Sequence, residues 1–241
     1  MASSSSALAS LAQSYDSECD SPPPSRKRRR LPSPERELES SERRVRTFPH
    51  VKGAWATYVC VALPRTDVVE SMTFEAAKAL EKKTSNSKKA HRSLADARHL
   101  HITLSKTTTI TYDQIEPLAS ALRAAFSTVQ PFDVILGPKL ETYVNDEGTR
   151  SFCGAVVDAP ELLQTVGAVD SVMSAFGKEK YYKDPEFHCS LAWCLGSVSR
   201  GECGSLERAA TFRIRSVTLR SGNKITDVPL LGQKTTSGCI L

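Results

Sequence analysis

From about residue 54 the chain is built of short apolar stretches, several of which alternate apolar and polar residues. Successive side chains of a strand point to opposite faces, so a two-residue period predicts β-strands. Asn145-Asp146-Glu147-Gly148 separates two such stretches and is typical of a hairpin turn. The predicted strands are 55–63, 99–105, 132–136, 140–144, 151–157, 187–195 and 212–220, with a last one after the turn at 221–224.

Three other segments have the apolar spacing or composition of helices. Residues 115–126 carry Ile115, Leu118, Leu122 and Ala125 on one helical face. Residues 74–83 have helical composition, and 162–176 ends at Gly177, which predicts a glycine C-cap. Strands and helices together indicate an α+β fold. We expect two pseudo-symmetric lobes, each an antiparallel sheet with a covering helix, around a central cleft.

Residues 1–50 differ in composition from the rest of the chain. Serine and proline runs are followed by Arg26-Lys27-Arg28-Arg29-Arg30 and then by mixed charges. Such a segment buries too little apolar surface to offset its ordering entropy, so we predict a disordered tail at 1–50 and one folded domain at 51–241. The cluster Arg26–Arg30 is typical of a nuclear localisation signal read by the import machinery; a non-specific RNA-binding arm is the alternative.

Composition narrows the class of protein. Hydrophobic residues make up 40% and charged residues 24% of 241 residues, which is ordinary for a globular protein. Seven cysteines without a Cys-x-x-Cys motif indicate free thiols in a reducing compartment rather than a zinc site. No apolar run reaches membrane-spanning length, so no membrane association is expected. The net charge of +5 suits a short nucleic acid held at a few phosphates.

Two histidines far apart in the chain stand in the same local setting. The motifs are His101-Ile102-Thr103-Leu104 and His188-Cys189-Ser190-Leu191. On a strand, each histidine shares a face with the hydroxyl residue two positions later. We expect the opposite face to be apolar, with Phe187, Cys189, Leu191 and Trp193 packed behind the second motif and Trp55 and Trp193 in the core.

The paired motifs predict phosphate chemistry. Imidazole titrates near neutral pH, so two histidines can act as general base and general acid. Hydroxyls on the same face can donate to the oxygens of a phosphate. A single copy would be typical of a half-buried strand histidine, and the repetition of the motif favours catalysis. The sequence leaves open which histidine is the base.

This layout resembles the 2H phosphoesterase superfamily, which has two His-x-Ser/Thr motifs on strands of two similar lobes. Longer segments are similar to the U6 small nuclear RNA phosphodiesterase branch, and the likeness covers about residues 53–230. The segment around the second histidine is the most specific of them. These segments are 53–57, 140–152, 182–194 and 221–224.

The resemblance implies a nuclear RNA phosphodiesterase that needs no metal or other cofactor. It would trim the 3′ uridine tail of U6 snRNA, the RNA of the splicing machinery, as a 3′-to-5′ exonuclease. The end left would be a 2′,3′-cyclic phosphate or a 3′-phosphate, which places the enzyme among the hydrolases and also the lyases. We expect a monomer.

The resemblance also implies roles for individual residues. His101 and His188 would be catalytic, Thr103 and Ser190 would hold the phosphate, and Tyr182 would stack on a base. The remaining residues expected at the nucleotide are Ile102, Asp146, Asp184, Pro185, Glu186 and Phe187. Two alternatives stay open: another cyclic phosphodiesterase or RNA-end-processing enzyme of the superfamily, and an RNA-binding module without catalysis.

Overall fold

The apolar pattern forms β-sheet over much of its length in a computed structural model that describes residues 51–85, 87–93 and 100–232. The strands are β1 (Ala54–Leu63), β2 (His91–Arg92), β3 (Leu100–Thr103), β4 (Thr108–Thr111), β5 (Phe132–Val144), β6 (Arg150–Asp158), β7 (His188–Leu195), β8 (Gly201–Ser205), β9 (Ala210–Ile214), β10 (Ser216–Ser221) and β11 (Lys224–Pro229). The helices are α1 (Asp67–Lys83), α2 (Ile115–Phe126) and α3 (Glu161–Ala175). The predicted tail and its Arg26–Arg30 cluster lie outside the described residues.

The helices begin and end where the local sequence favours it. The Thr66 side chain caps α1 by accepting a hydrogen bond from the Val69 backbone N–H, so the helix begins seven residues before the predicted position 74. Helix α2 has the predicted bounds. Gly177 follows α3 with a φ of +68°, which confirms the predicted glycine C-cap.

The strands pair in the order β11-β10-β1-β3-β7-β6-β5-β8, with every ladder antiparallel. Strand β4 also pairs with β1, β9 with β5 and β2 with β7. The first lobe is the sheet from β11 to β3, and the second lobe is the sheet from β7 to β8. They join where Ile102 of β3 pairs with Cys189 of β7. The predicted α+β fold with two antiparallel lobes is confirmed.

The lobes do not coincide with the two halves of the sequence. Helix α1 follows β1 of the first lobe but packs against β6, β7 and β8 of the second. Helix α2 packs against β11 and against α3. Strands β10 and β11 return from the C-terminal part of the chain to complete the first lobe. Each lobe is therefore assembled from segments distant in sequence.

Three predicted strands are divided differently in the structure. The stretches 132–136 and 140–144 are one strand, β5, because its pairing with β6 continues after a register shift between Leu136 and Leu140. The stretch 212–220 is two strands, since β9 pairs with β5 in the second lobe whereas β10 pairs with β1 in the first. The chain changes lobe at Arg215, which lies between them.

One face of each sheet is buried under the helices. Ile102, Leu104, Cys189 and Leu191 are at most 1% exposed, as is Ala155 on β6. These residues belong to a continuous core that also contains Ala76 and Leu80 of α1. In the described part of the chain, no helix has the length and apolar character needed to cross a membrane.

Candidate active site

The two motif strands are neighbours at the centre of the sheet. Ile102 on β3 and Cys189 on β7 are direct antiparallel partners, and both side chains are completely buried. Residues on either side of this pair point to the opposite face. Continuing the antiparallel register by one residue places His101 beside Ser190 and Thr103 beside His188.

The structure therefore brings the four predicted residues to one face of the sheet, where the two lobes meet. His101, Thr103, His188 and Ser190 are all half-buried, in contrast to the buried residues between them. Each lobe contributes one imidazole and one hydroxyl. This is an arrangement that can surround a single phosphate with two proton carriers and two hydrogen-bond donors.

The His188 ring is held by stacking. The Tyr143 ring lies parallel to it, with the ring centroids 3.7 Å apart and an interplanar angle of 12°. Tyr143 is on β5, two strands away, so its side chain must cross β6 to reach β7. It crosses at Gly154, which pairs with Ser190 on one side and Glu141 on the other. A Cβ atom at Gly154 would lie 3.1 Å from Tyr143 Cε2 and 3.2 Å from His188 Cδ2. The absence of a side chain at Gly154 thus makes the stack possible.

A backbone acceptor orients the same imidazole. His188 Nδ1 lies 2.9 Å from the Glu186 carbonyl oxygen. A carbonyl only accepts hydrogen bonds, so Nδ1 carries the proton and Nε2 of the neutral ring keeps its lone pair. Burial lowers the pKa of His188 below its ordinary value, and the hydrogen bond to Glu186 opposes this shift only in part. His188 is therefore neutral at pH 7, with Nε2 as the acceptor.

His101 has an aromatic neighbour in its own lobe. The Tyr58 ring on β1 lies with its centroid 5.6 Å from that of His101, at an interplanar angle of 40°. The Arg220 guanidinium lies 5.9 Å from the centre of the Tyr58 ring. Each histidine of the pair thus contacts a tyrosine, but the contact is looser at His101 than at His188.

Two polar residues close to the motifs do not reach the site. The Ser105 hydroxyl is buried, where it accepts a hydrogen bond from the Val59 backbone N–H and donates one to the Lys106 carbonyl oxygen. Burial raises the pKa of the Cys189 thiol to about 12, partly offset by a hydrogen bond from the His101 backbone. Cys189 stays protonated at neutral pH and is not a candidate nucleophile.

Tyr182 lies on an exposed segment before β7, with 50% of its surface accessible. Lys106 Nζ lies 5.2 Å from the centre of the Tyr182 ring and forms an ion pair of 2.9 Å with Glu179 Oε2. The pKa of Lys106 is raised chiefly by Glu179, with smaller contributions from Tyr182 and from Asp146 of the exposed hairpin turn. The sequence prediction missed Lys106. Its position directly after the first motif strand was the available signal.

The other residues expected at the nucleotide differ in accessibility. Asp184 and Glu186 are exposed, and Glu186 Oε2 accepts a hydrogen bond of 2.8 Å from Arg200. Pro185 and Phe187 are half-buried. The Ile102 side chain is completely buried on the core face, so only its backbone is available to a ligand.

Trp193 is not in the core, contrary to the prediction. The pairing of β6 with β7 shifts between Cys153 and Gly154, where β7 has one extra residue. Gly154 pairs with Ser190, and Phe152 pairs with Trp193. This β-bulge moves Trp193 to the face that carries Ser190 and leaves it half-buried. Trp55 is half-buried as well, beside Tyr112.

Among the described residues, no group of three or more His, Cys, Asp or Glu side chains could hold a metal ion. The polar groups that the two motifs contribute to the site are the two imidazoles and the two hydroxyls.

Known proteins are similar to this chain in sequence. The model of the HVSL family, described as an uncharacterised conserved protein, matches residues 22–229. Human U6 snRNA phosphodiesterase 1 is 30% identical over 203 residues, which are 78% of this chain and 74% of the relative. The protein of the same name from Xenopus laevis is 27% identical over 207 residues, 79% of each chain.

Solved structures show the same fold at low sequence identity. Kluyveromyces marxianus Usb1 superimposes with a TM-score of 0.53 at 12% identity, covering 73% of this chain and 98% of that one. Its structure with uridine monophosphate gives the same TM-score. Escherichia coli LigT has a TM-score of 0.50 at 14% identity, covering 74% of this chain and 98% of that one.

These relatives correct one prediction. Assignment to the lyases is wrong, because the matching relatives are named phosphodiesterases and phosphodiesterases are hydrolases. The chain is a phosphodiesterase that belongs to the HVSL family and to the family of the U6 snRNA phosphodiesterase 1 proteins.

Proposed function

We propose that this phosphodiesterase removes uridines from the 3′ end of U6 snRNA as a 3′-to-5′ exonuclease. The observation that carries the proposal is the meeting of His101, Thr103, His188 and Ser190 on one face at the junction of the lobes. The names of the matching relatives support the substrate. The uridine monophosphate in the structure of Kluyveromyces marxianus Usb1, a protein of the same fold, is consistent with it.

In the proposed mechanism His188 is the base and His101 is the acid. His188 is neutral, and its Nε2 is free to accept because Nδ1 donates to the Glu186 carbonyl oxygen. Nε2 takes the proton from the 2′-OH of the penultimate ribose, and the 2′-oxygen attacks the adjacent phosphorus in line. Protonated His101 gives its proton to the departing 5′-oxygen of the terminal nucleoside. Each proton transfer contributes about 10²–10⁴-fold.

The hydroxyls of Thr103 and Ser190 donate to the non-bridging phosphate oxygens as negative charge develops on them. One hydroxyl comes from each lobe, so the phosphate is held from both sides. The end left on the RNA is a 2′,3′-cyclic phosphate or, once water opens the ring by the reverse proton transfers, a 3′-phosphate. Because the nucleophile is the 2′-oxygen, cleavage is confined to RNA.

The two imidazoles supply both proton transfers, so the proposed reaction needs no metal ion or other cofactor. Tyr182 stacks on a base of the substrate, and its exposed ring beside Lys106 supports this role. We further propose that the protein acts as a monomer in the nucleus and is imported through Arg26–Arg30.

The test is a time course with 5′-labelled oligouridine RNA in excess EDTA, followed by analysis of the end groups. We expect shortening by one nucleotide at a time, with a cyclic phosphate or a 3′-phosphate at the new end. His101→Ala and His188→Ala should each reduce the rate at least 10²-fold while the protein stays folded and still binds RNA. Loss of cleavage in EDTA that a divalent ion restores would refute metal independence. Near-normal turnover by either variant would refute the paired mechanism.

A further inference from the structure

Four aromatic rings lie side by side across the second lobe. Tyr143 on β5 is the direct partner of Phe152 on β6, which is the partner of Trp193 on β7. Trp193 is in turn the partner of His91 on β2. Direct partners share a face of the sheet, so these four residues form one row, which we call the aromatic row. It exists only because the bulge in β7 turns Trp193 to this face.

The aromatic row is continuous with the catalytic pair. At one end Tyr143 stacks on His188 at 3.7 Å. At the other end the His91 and Trp193 rings are stacked, with their centroids 4.5 Å apart and an interplanar angle of 20°. Trp193 lies five residues after His188, or about 15 Å along the strand. The outer half of the row therefore lies beyond the reach of the two nucleotides that flank the scissile phosphate.

Packing does not account for these rings. Helix α1 covers the other face of the second lobe, where Cys153, Ala155 and Cys189 are buried. Phe152, Trp193 and His91 remain half-buried on the opposite face, away from α1 among the described residues. Partly exposed rings on an open sheet face are the feature on which proteins stack the bases of single-stranded nucleic acids.

Cations accompany the outer half of the row. The Arg150 guanidinium lies 4.8 Å from the centre of the Trp193 ring. Lys89, two residues before His91 in the sequence, is exposed. A guanidinium beside an aromatic ring matches a ligand that has a phosphate backbone and flat bases.

We propose that the aromatic row binds bases of single-stranded RNA on the 5′ side of the scissile phosphate. This inference rests on the proposed function. An exonuclease that removes one 3′-terminal nucleotide leaves only that nucleotide on the 3′ side, so any longer RNA must extend on the 5′ side. Trp193, His91 and Arg150 contact this upstream RNA and take no part in the chemistry at the phosphate.

The test compares the dinucleotide UpU with a ten-uridine RNA on the intact chain. Trp193→Ala and His91→Ala should each lower kcat/KM for the long RNA by about tenfold, because stacking on an aromatic ring strengthens binding of a base by about that factor or more. Arg150→Gln should lower it as well, because it removes a positive charge that attracts the phosphate backbone. The same variants should leave kcat/KM for UpU unchanged. Tyr112→Ala is the matched control, since Tyr112 is an exposed ring with Lys224 Nζ 5.9 Å from its centre but lies outside the row.

Trp193→Phe keeps a stacking ring and should retain most of the activity on the long RNA, which covers the case in which Trp193→Ala does not fold. Equal loss on both substrates, or no loss with Trp193→Ala and His91→Ala folded, would overturn the role of the row. A wild-type chain that cleaves neither RNA would instead count against the proposed function. In that case the binding of a fluorescent ten-uridine RNA would be measured. Binding that Trp193→Ala and His91→Ala each weaken by about tenfold would still support the RNA-binding role of the aromatic row.

Discussion

Replacing Gly154 by alanine should disturb catalysis without touching any proposed catalytic residue. The new methyl group would lie 3.1 Å from Tyr143 Cε2, 3.2 Å from His188 Cδ2 and 3.3 Å from the Cys189 carbonyl oxygen. Ordinary carbon contacts are about 3.5–4.0 Å, so each neighbour must move by a few tenths of an ångström. The Cys189 carbonyl belongs to the sheet backbone and can move least. The two stacked rings therefore take up most of the displacement.

The size of the effect follows from the geometry. Overpacking of this kind costs about 1–3 kcal/mol, which lowers the melting temperature by about 2–4 °C per kcal/mol in a domain of this size. A misplacement of about 1 Å at a reacting group can cost about 10²-fold in rate. A shift of a few tenths of an ångström at His188 should then lower kcat by about tenfold. Single-turnover cleavage of oligouridine RNA measures this directly, with thermal melting as the measure of folding.

Gly167→Ala is the matched control. Gly167 lies within helix α3, and a Cβ atom there would have no heavy atom within 4 Å. Alanine should stabilise this helix by about 1 kcal/mol and leave the rate unchanged. If Gly154→Ala turned over oligouridine at the wild-type rate while the control behaved as expected, stacking on Tyr143 would not be what positions His188.

Three further predictions concern proton transfer, substrate and localisation. Burial lowers the pKa of His188, so kcat/KM should decline on the acid side at a lower pH than an ordinary imidazole would give; Tyr143→Ala, which exposes the ring, should move this decline to higher pH. An RNA whose penultimate nucleotide is 2′-deoxy should bind to the protein but resist cleavage. Tyr182→Ala should weaken the binding of this RNA by about tenfold in a titration, and it should not change the end group formed from all-ribose RNA. Deleting residues 1–50 should leave cleavage unchanged in vitro and reduce nuclear accumulation of a fluorescent fusion; a folded truncated protein without activity would place the tail in the substrate site.

Local patterns in the sequence were sufficient to predict the two motif strands and the side chains that share a face with each histidine. The alternation around His101 and His188 predicts which neighbours share their face, and the structure places Thr103 and Ser190 there. The turn after Val144 and the bounds of α2 follow from short-range signals in the same way. These features depend on residues within a few positions of one another.

The remaining features depend on pairing between distant strands, which a single sequence does not encode locally. Tyr143 reaches His188 across an intervening strand, and only the register of three strands reveals that Gly154 leaves the space. The extra residue in β7 reverses the expected direction of Trp193, because strict alternation holds only where pairing is regular. Tertiary packing, and not the local sequence, also determines that helix α1 covers the second lobe although it follows β1 of the first.

The return of β10 to the first lobe determines when the protein can become active during its synthesis. Strand β1 supports β3, and therefore His101, on one side, while its other side pairs with β10, which in turn pairs with β11. All four proposed site residues have left the ribosome before Ser216 does. A message that terminates prematurely between Ser190 and Ser216 would thus encode every one of these residues, yet its product would lack β10, the strand that pairs with the other side of β1. We expect such a product to be inactive and exposed to degradation, because β1 is left as an unpaired apolar edge.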